Sequence, residues 1–480
     1  MQDIDIALIK RKSITGIIAF TSRTFFLQIV AFAGTFLLTI FLSPASFGLF
    51  YIVSAIIAFL GYFSDIGLAA ALVQKKEDLH REDLVTTFTI QQVLVGIMVI
   101  LAVAASGPVA SFYRLDESGI LLYQALIAGF FLSSLKTIPS ILLERSLDFQ
   151  KLVIPTMVET LLFYIVAVIL AWKGFGVTSF TWAVLARGVS GLVVMYLIAP
   201  WKIGWGFSKK SARSLLHFGV PFQLNSFLAL IKDDLMIVFL GKVLPLSHVG
   251  YLGWAKKWAE VPLRLIMDSV IRVTFPAFSR IQHDIKVLGS ALEKTLFGLA
   301  ATIFPITIAL IFFIKPLIAV IPKYEKWEPA VFAFYLFAVT SAIASLSTPL
   351  TNAFNAVGKI KITLGLMIFW TISTWILTVA LLPSQGFLAF AIATFLVSFS
   401  IVAVIQLMKK IAPFQFMSAI KIPLLSCFVQ ILWYTLFLRI SPLSLWQLII
   451  IGGSGVILYA GLVWTFERER IAGLLSKKHS

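Results

Sequence analysis

Ile90-Gln91-Gln92-Val93-Leu94-Val95-Gly96-Ile97-Met98-Val99-Ile100-Leu101-Ala102-Val103-Ala104-Ala105 carries no charge and is apolar on every face beyond its two glutamines. Residues 391–407 read the same way. Strands of a membrane β-barrel alternate apolar and polar residues over about ten positions, so these stretches are helices. A helix that is apolar all round belongs in lipid or in a large core. The rest of the chain decides for lipid: its 480 residues are 60% hydrophobic and 13% charged, with a mean hydropathy of +0.98. Ordinary soluble domains carry about 25% charged residues, so a soluble two-domain enzyme is excluded.

A bilayer core of about 30 Å is crossed by about 20 helical residues. Hydropathy and the Gly, Pro and charge punctuation predict spans at 14–42, 47–74, 84–105, 119–140, 152–172, 177–199, 214–241, 248–275, 289–314, 330–352, 361–382, 387–408, 421–438 and 446–466. The expectation is an all-α polytopic membrane protein of about fourteen spans. Residues 1–13 are acidic and then basic with no apolar core, so no cleavable signal is expected there. The N-terminal segment, the even-numbered connections and the tail hold about 23 Lys and Arg, and the odd-numbered connections about 7. Basic residues of short loops stay in the cytoplasm, so both termini are expected inside. Basic and apolar residues mix at 208–218, 409–421 and 468–478, which suits helices lying at the headgroups.

The net charge of +17 would suggest nucleic acid in a soluble protein. Here orientation charges in the loops and a cationic cavity compete to explain it. The single Cys427 lies in an apolar run and forms no internal disulfide. No phosphate loop occurs, since Ala356-Val357-Gly358-Lys359 lacks the first Gly and the hydroxyl. The five His are scattered and make no metal-ligand or triad spacing. Neither a cofactor, a metal, hydrolysis nor a nucleic-acid partner is expected.

Charges inside spans are costly unless they face water or a partner, and each is a functional candidate. The eighth span carries Lys256, Lys257, Glu260, Arg264, Asp268 and Arg272. At 100° per residue, the last five fall within about half the helix circumference. Glu260, Arg264, Asp268 and Arg272 are four apart with alternating sign and suit ion pairs. Four basic residues against two acidic ones still leave a positive excess, which calls for an anion or water. The seventh span holds Lys232, Asp233 and Asp234, where one carboxylate can pair and the other is a candidate proton or sodium site. Arg23 and Asp65 sit at similar depth in neighbouring spans and can pair, or Arg23 can hold a phosphate. Glu159 and Arg187 can join the same cavity, whereas Lys136 and Lys294 lie near enough to the interface to snorkel.

A faint repeat joins Ser46-Phe47-Gly48-Leu49-Phe50 to Ser247-His248-Val249-Gly250-Tyr251-Leu252, each after a Pro-containing turn at Pro44 or Pro245. Asp65 follows Gly48 by 17 residues and Asp268 follows Gly250 by 18. The spacing predicts two pseudo-symmetric six-helix lobes, over 1–200 and 201–410, with 411–480 adding two helices and a basic tail. Parallel repeats of this kind are common in secondary transporters, with the substrate between the halves.

Leu42-Ser43-Pro44-Ala45-Ser46-Phe47-Gly48-Leu49-Phe50, Asp65-Ile66-Gly67-Leu68 and Ala71-Leu72-Val73-Gln74-Lys75 resemble the polysaccharide transporters of the multidrug/oligosaccharidyl-lipid/polysaccharide (MOP) superfamily. So do Phe218-Gly219-Val220-Pro221, Asp234, Gly250-Tyr251, Phe275-Pro276-Ala277-Phe278-Ser279-Arg280 and Asn355-Ala356-Val357-Gly358-Lys359. The chain departs from the family pattern at Asp234-Leu235, where Asp-Arg is usual, and at Leu252-Gly253-Trp254-Ala255, where Tyr-Ser-Leu-Ala is usual. The resemblance implies a flippase of the bacterial inner membrane, not an enzyme, that carries undecaprenyl-diphosphate-linked oligosaccharide for exopolysaccharide, capsule or lipopolysaccharide.

In that setting Arg23, Lys256, Lys257, Arg264 and Arg272 are the candidate diphosphate contacts, because clustered cations lower the cost of moving dense negative charge through a low-dielectric layer. Trp254 and Trp258 are candidate sugar contacts. Asp65, Asp233, Asp234, Glu260 and Asp268 set the field by pairing, or couple transport to a proton or sodium ion. Partners would be the lipid-linked oligosaccharide, membrane lipids and polymerase or export machinery. A cation-coupled drug exporter of the same superfamily would want an acidic cavity. A membrane-embedded glycosyltransferase would usually carry a larger outside loop, and a non-transporting scaffold of a polysaccharide assembly complex is the third alternative.

Overall fold

Proline and glycine, more than hydropathy, decide where each helix starts and stops. A computed structural model describes residues 26–75, 77, 79–146, 148–438 and 444–475, and every regular element among them is helical. Residues 1–250 form one compact unit and 251–480 a second. Among the described residues, eleven helices are long and apolar enough to cross a membrane. Their outer faces are fatty: Ile100 is 69% exposed, Leu197 77% and Ile457 73%. Such surfaces are stable only against acyl chains.

The first unit opens with α1 (Phe26–Phe41), the described part of the expected span 14–42. It is followed by α2 (Pro44–Asp65), α3 (Leu68–Gln74), α4 (Arg81–Ala104), α5 (Ser106–Tyr113), α6 (Glu117–Ser134), α7 (Thr137–Arg145), α8 (Phe149–Trp172), α9 (Thr178–Ile198) and α10 (Lys209–Val243). Ser43 caps α2 by accepting the Ser46 N–H, with Pro44 in the first turn where its missing donor costs nothing. Two residues in the left-handed region, Ile66 (φ 41°) and Gly67 (φ 77°), then break the expected span 47–74 into α2 and α3. Left-handed geometry is uncommon for a β-branched residue, and packing enforces it here. Gly67 lies so close to the Gly219 backbone of α10 that a Cβ on it would overlap the Gly219 carbonyl. A core of Leu68, Leu72, Phe88, Ile138, Ile141 and Leu215 then ties α3, α4, α7 and α10 together.

The expected span 119–140 is likewise two helices, α6 and α7. A proline ring excludes the carbonyl four residues earlier, so Pro139 frees the carbonyl of Leu135. The Tyr196 hydroxyl of α9 donates to that carbonyl at 3.0 Å, which satisfies the break inside a low-dielectric layer. The basic stretch 208–218 does not form a separate surface helix: α10 runs unbroken for 35 residues and includes it. The expected boundary near residue 200 falls between α9 and α10, and α10 packs against α2 and α3 within the first unit.

The start of α2 meets the start of the next helix, α11 (Leu246–Ala259). A Cβ on Gly48 would overlap the Leu246 carbonyl, and one on Gly250 would overlap the Pro44 carbonyl. The faint repeat is thus a reciprocal contact in which each glycine admits the other's helix start. Asp65 ends α2 at a break, whereas Asp268 lies within α12.

The second unit continues with α12 (Val261–Arg280), α13 (Ile285–Val320), a short 3-10 turn (Glu325–Ala330), α14 (Val331–Ala356), α15 (Ile360–Gln385), α16 (Leu388–Ser398), α17 (Ile401–Lys409), α18 (Phe416–Phe437), α19 (Leu445–Phe466) and α20 (Arg468–Leu475). The expected span 387–408 breaks at Phe399 and Ser400, where the Trp370 indole donates to Ser400 Oγ at 2.7 Å. Its core gathers α12, α13, α14, α17, α18 and α19 around residues such as Leu292, Leu296, Phe304, Phe354 and Met408. Cys427 is buried there, as expected. One chain of buried hydrogen bonds crosses this unit: Gln430 donates to the Pro305 carbonyl and to Tyr434, whose hydroxyl donates to the Gly452 carbonyl.

Candidate functional site

The charged eighth span is two helices rather than one. Pro262 in the first turn of α12 cannot donate and excludes the carbonyl of Trp258, so α11 ends at Ala259 and α12 begins at Val261. Glu260 sits at the junction and caps α12 by position, where a negative charge suits the helix start. It holds both flanks: Arg264 donates to Glu260 Oε2 from Nη2 at 2.7 Å and from Nε at 3.1 Å, and Lys256 lies 4.0 Å from Oε1. Lys256 also stands 5.7 Å over the Phe390 ring.

The apolar side of α12 packs Leu263, Ile266, Met267, Val270 and Ile271 onto Leu299 and Ile303 of α13. At 100° per residue Arg264 lies on the flank of that seam, roughly 90° from its centre, and Arg272 lies nearly opposite it, roughly 170° away. Both are exposed, as is Lys257 at the end of α11. A guanidinium on an unpacked helix face needs water or an anion. Asp268 falls in the same helix; its side chain lies outside the described residues.

Trp254 and Trp258 are both buried. Trp254 stacks on Trp327 with ring centroids 5.3 Å apart and planes 11° off parallel, and its N–H points to the Tyr324 hydroxyl at 3.4 Å. Its faces are therefore occupied by protein, and contact with a sugar requires the ring to leave this stack.

In the first unit, Asp65 accepts the Ala69 N–H at 3.2 Å and so caps α3 across the Ile66–Gly67 break. Arg23, its expected partner, lies outside the described residues. Lys232, Asp233 and Asp234 are half-buried on α10. Gln223, about three turns before Asp234 on the same helix, binds Tyr62 of α2 reciprocally, its amide donating to the Tyr62 carbonyl at 3.0 Å while the Tyr62 hydroxyl donates to the Gln223 backbone carbonyl.

A second charged group was only partly visible in the sequence. Lys136 does not snorkel to the interface; it turns inward at the α6–α7 break and pairs with Glu159 of α8. Arg187 of α9 approaches the other oxygen of Glu159, Nε to Oε2 3.8 Å. Gly191 makes room for the carboxylate, which a Cβ there would overlap. Lys136 lies four residues before the end of the expected span 119–140 and Glu159 seven after the start of 152–172, so their opposite charges within successive spans were the available signal.

Fold and charge define a multi-pass helical membrane protein with cations on unpacked helix faces. The chain belongs to the polysaccharide biosynthesis protein family, which it matches over residues 37–332. It is 23% identical over 331 residues to the succinoglycan biosynthesis transport protein ExoT of Rhizobium meliloti (strain 1021), covering 68% of this chain and 65% of that protein. It is 24% identical over 335 residues to the lipopolysaccharide biosynthesis protein WzxC of Escherichia coli (strain K12), covering 68% of this chain and 66% of that protein. Each match thus spans just under two thirds of the relative's length. Among solved structures, the lipid II flippase MurJ in an inward closed conformation superposes with a TM-score of 0.75 at 18% identity, covering 95% of this chain and all of that one. An inward-facing MATE family transporter of the MOP superfamily gives 0.63 at 16% identity, covering 80% and 95%. The fold is shared with these transporters.

Proposed function

We propose that this protein is a flippase that moves an undecaprenyl-diphosphate-linked oligosaccharide across the bacterial inner membrane for surface polysaccharide synthesis, working by alternating access with both termini in the cytoplasm. The observation that carries the reading is the exposed cationic side of α12, with Arg264 on the flank of the helix's apolar seam and Arg272 nearly opposite it. A diphosphate is the lipid-borne group that such a face stabilises best, since its charge is dense and its oxygens match the guanidinium fork. Lys256 and Lys257 extend the field, and Glu260 keeps Arg264 oriented until an anion competes for it. Arg23 is a further diphosphate contact in this reading, and Asp65, Asp233, Asp234 and Asp268 pair with cations or couple transport to an ion. The relatives named for succinoglycan transport and lipopolysaccharide biosynthesis support the polymer class.

Charge reversal tests it. Arg264→Glu places two carboxylates side by side where a diphosphate would bind, and proteoliposome translocation of a fluorescent undecaprenyl-diphosphate sugar should fall about 100-fold or more with protein level unchanged. Translocation at the wild-type rate would contradict the reading and leave a scaffold role.

A further inference from the structure

We propose that Arg187 forms a second phosphate-binding position, in the first unit, held ready by the Lys136–Glu159 pair; this role rests on the flippase reading above. Arg187 lies near the middle of α9 and Glu159 near the middle of α8, the depth at which an exposed charge is most costly. Yet the Arg187 side chain is 56% exposed, against 13% for Lys136 and 10% for Glu159.

That exposure lies off the apolar stripe of the helix. The exposed apolar residues of α9 are Trp182, Val189, Val193 and Leu197, which share one stripe. At 100° per residue Arg187 lies roughly 120° from the centre of that stripe and about half as far from the packed face that carries Gly188 and Gly191. The guanidinium therefore opens onto the side shared with α8, where the Tyr164 hydroxyl bonds Thr35 of α1 at 3.3 Å.

The charges do not cancel. Glu159 has one carboxylate and two cations beside it, and Lys136 takes the closer oxygen. Arg187 meets the other oxygen only at 3.8 Å through Nε, beyond hydrogen-bond range. Among the described residues, its Nη fork has no other partner. A planar donor fork with a residual positive charge, exposed at mid-helix and off the apolar stripe, fits a phosphate ester. Two lipids carry that group: the polyprenyl diphosphate and an anionic phospholipid. We assign the first. Glu159 is a positioning residue, and Gly191 permits its placement.

The test uses the full chain in nanodiscs of phosphatidylcholine, titrated with undecaprenyl diphosphate, undecaprenol and phosphatidylglycerol while tryptophan emission and thermal unfolding are followed. Wild type should bind the diphosphate saturably and ignore undecaprenol. Arg187→Gln should weaken diphosphate binding about tenfold with its unfolding midpoint unchanged, and Arg187→Lys should weaken it less. Unchanged affinity in a folded Arg187→Gln overturns the assignment; if that variant does not fold, unchanged affinity in Arg187→Lys does so. Phosphatidylglycerol competing as well as the diphosphate overturns it too, by making this a headgroup site. Wild type failing to bind the diphosphate contradicts the flippase reading itself, whereas binding that ignores Arg187 contradicts only this position.

Discussion

Glu159 shows what a single residue can settle in a low-dielectric interior. Its carboxylate is buried against Gly191 and paired with Lys136, so removing it leaves a cation without a partner. Breaking a buried pair from one side costs about 3–5 kcal/mol, whereas replacing both members by apolar groups is often neutral. Glu159→Leu should therefore lower the unfolding midpoint in detergent sharply, and Lys136→Met with Glu159→Leu should recover most of the loss. A double variant as unstable as the single one would mean that the pair does not hold the helices. The charges of this group are all plain in the sequence, but their pairing is not, because hydropathy says nothing about which spans are neighbours. Trp254 illustrates the opposite case: an indole beside a cationic stripe reads as an open surface until its stack on Trp327 is seen.

At the scale of elements, the family-like motifs of the first unit turn out to be helix crossings. Gly48 and Gly250 each admit a backbone carbonyl of the other's helix start, and Gly67 rests on Gly219. Backbone cannot move aside as a flexible side chain can, so Gly48→Ala should destabilise the protein by about 1–3 kcal/mol. Gly96, with nothing within 4 Å of a built Cβ, is the control: Gly96→Ala should be neutral or stabilising by about 0.5–1 kcal/mol. Thermal unfolding of both variants checks this, and equal midpoints would contradict it. Span positions were legible because twenty apolar residues leave a strong signal. The breaks at 66–67, 135–136, 260 and 399–400 were not, since a span average is blind to φ and to a freed carbonyl. Pro139 and Pro262 stand at two of these breaks, but a proline inside an apolar run does not by itself say that the span divides.

For the molecule as a whole, the sequence reading and the structure agree on an all-helical membrane protein, while the orientation rests on loop charge alone. Both termini in the cytoplasm predict that a C-terminal green fluorescent protein fusion is bright and the matching alkaline phosphatase fusion inactive; the reverse pattern would invert the topology. The central claim is that the Arg264 and Arg272 face of α12 is wet. Because the sole cysteine, Cys427, is buried, a Cys427→Ser background allows a direct reading by aqueous maleimide labelling of single-cysteine variants in intact membranes. Arg264→Cys and Arg272→Cys should label readily, whereas Leu299→Cys in the α13 seam and Ile457→Cys on an outer apolar face should not. Labelling of Arg264→Cys and Arg272→Cys as slow as that of Ile457→Cys would put the cationic face against hydrocarbon and contradict the account.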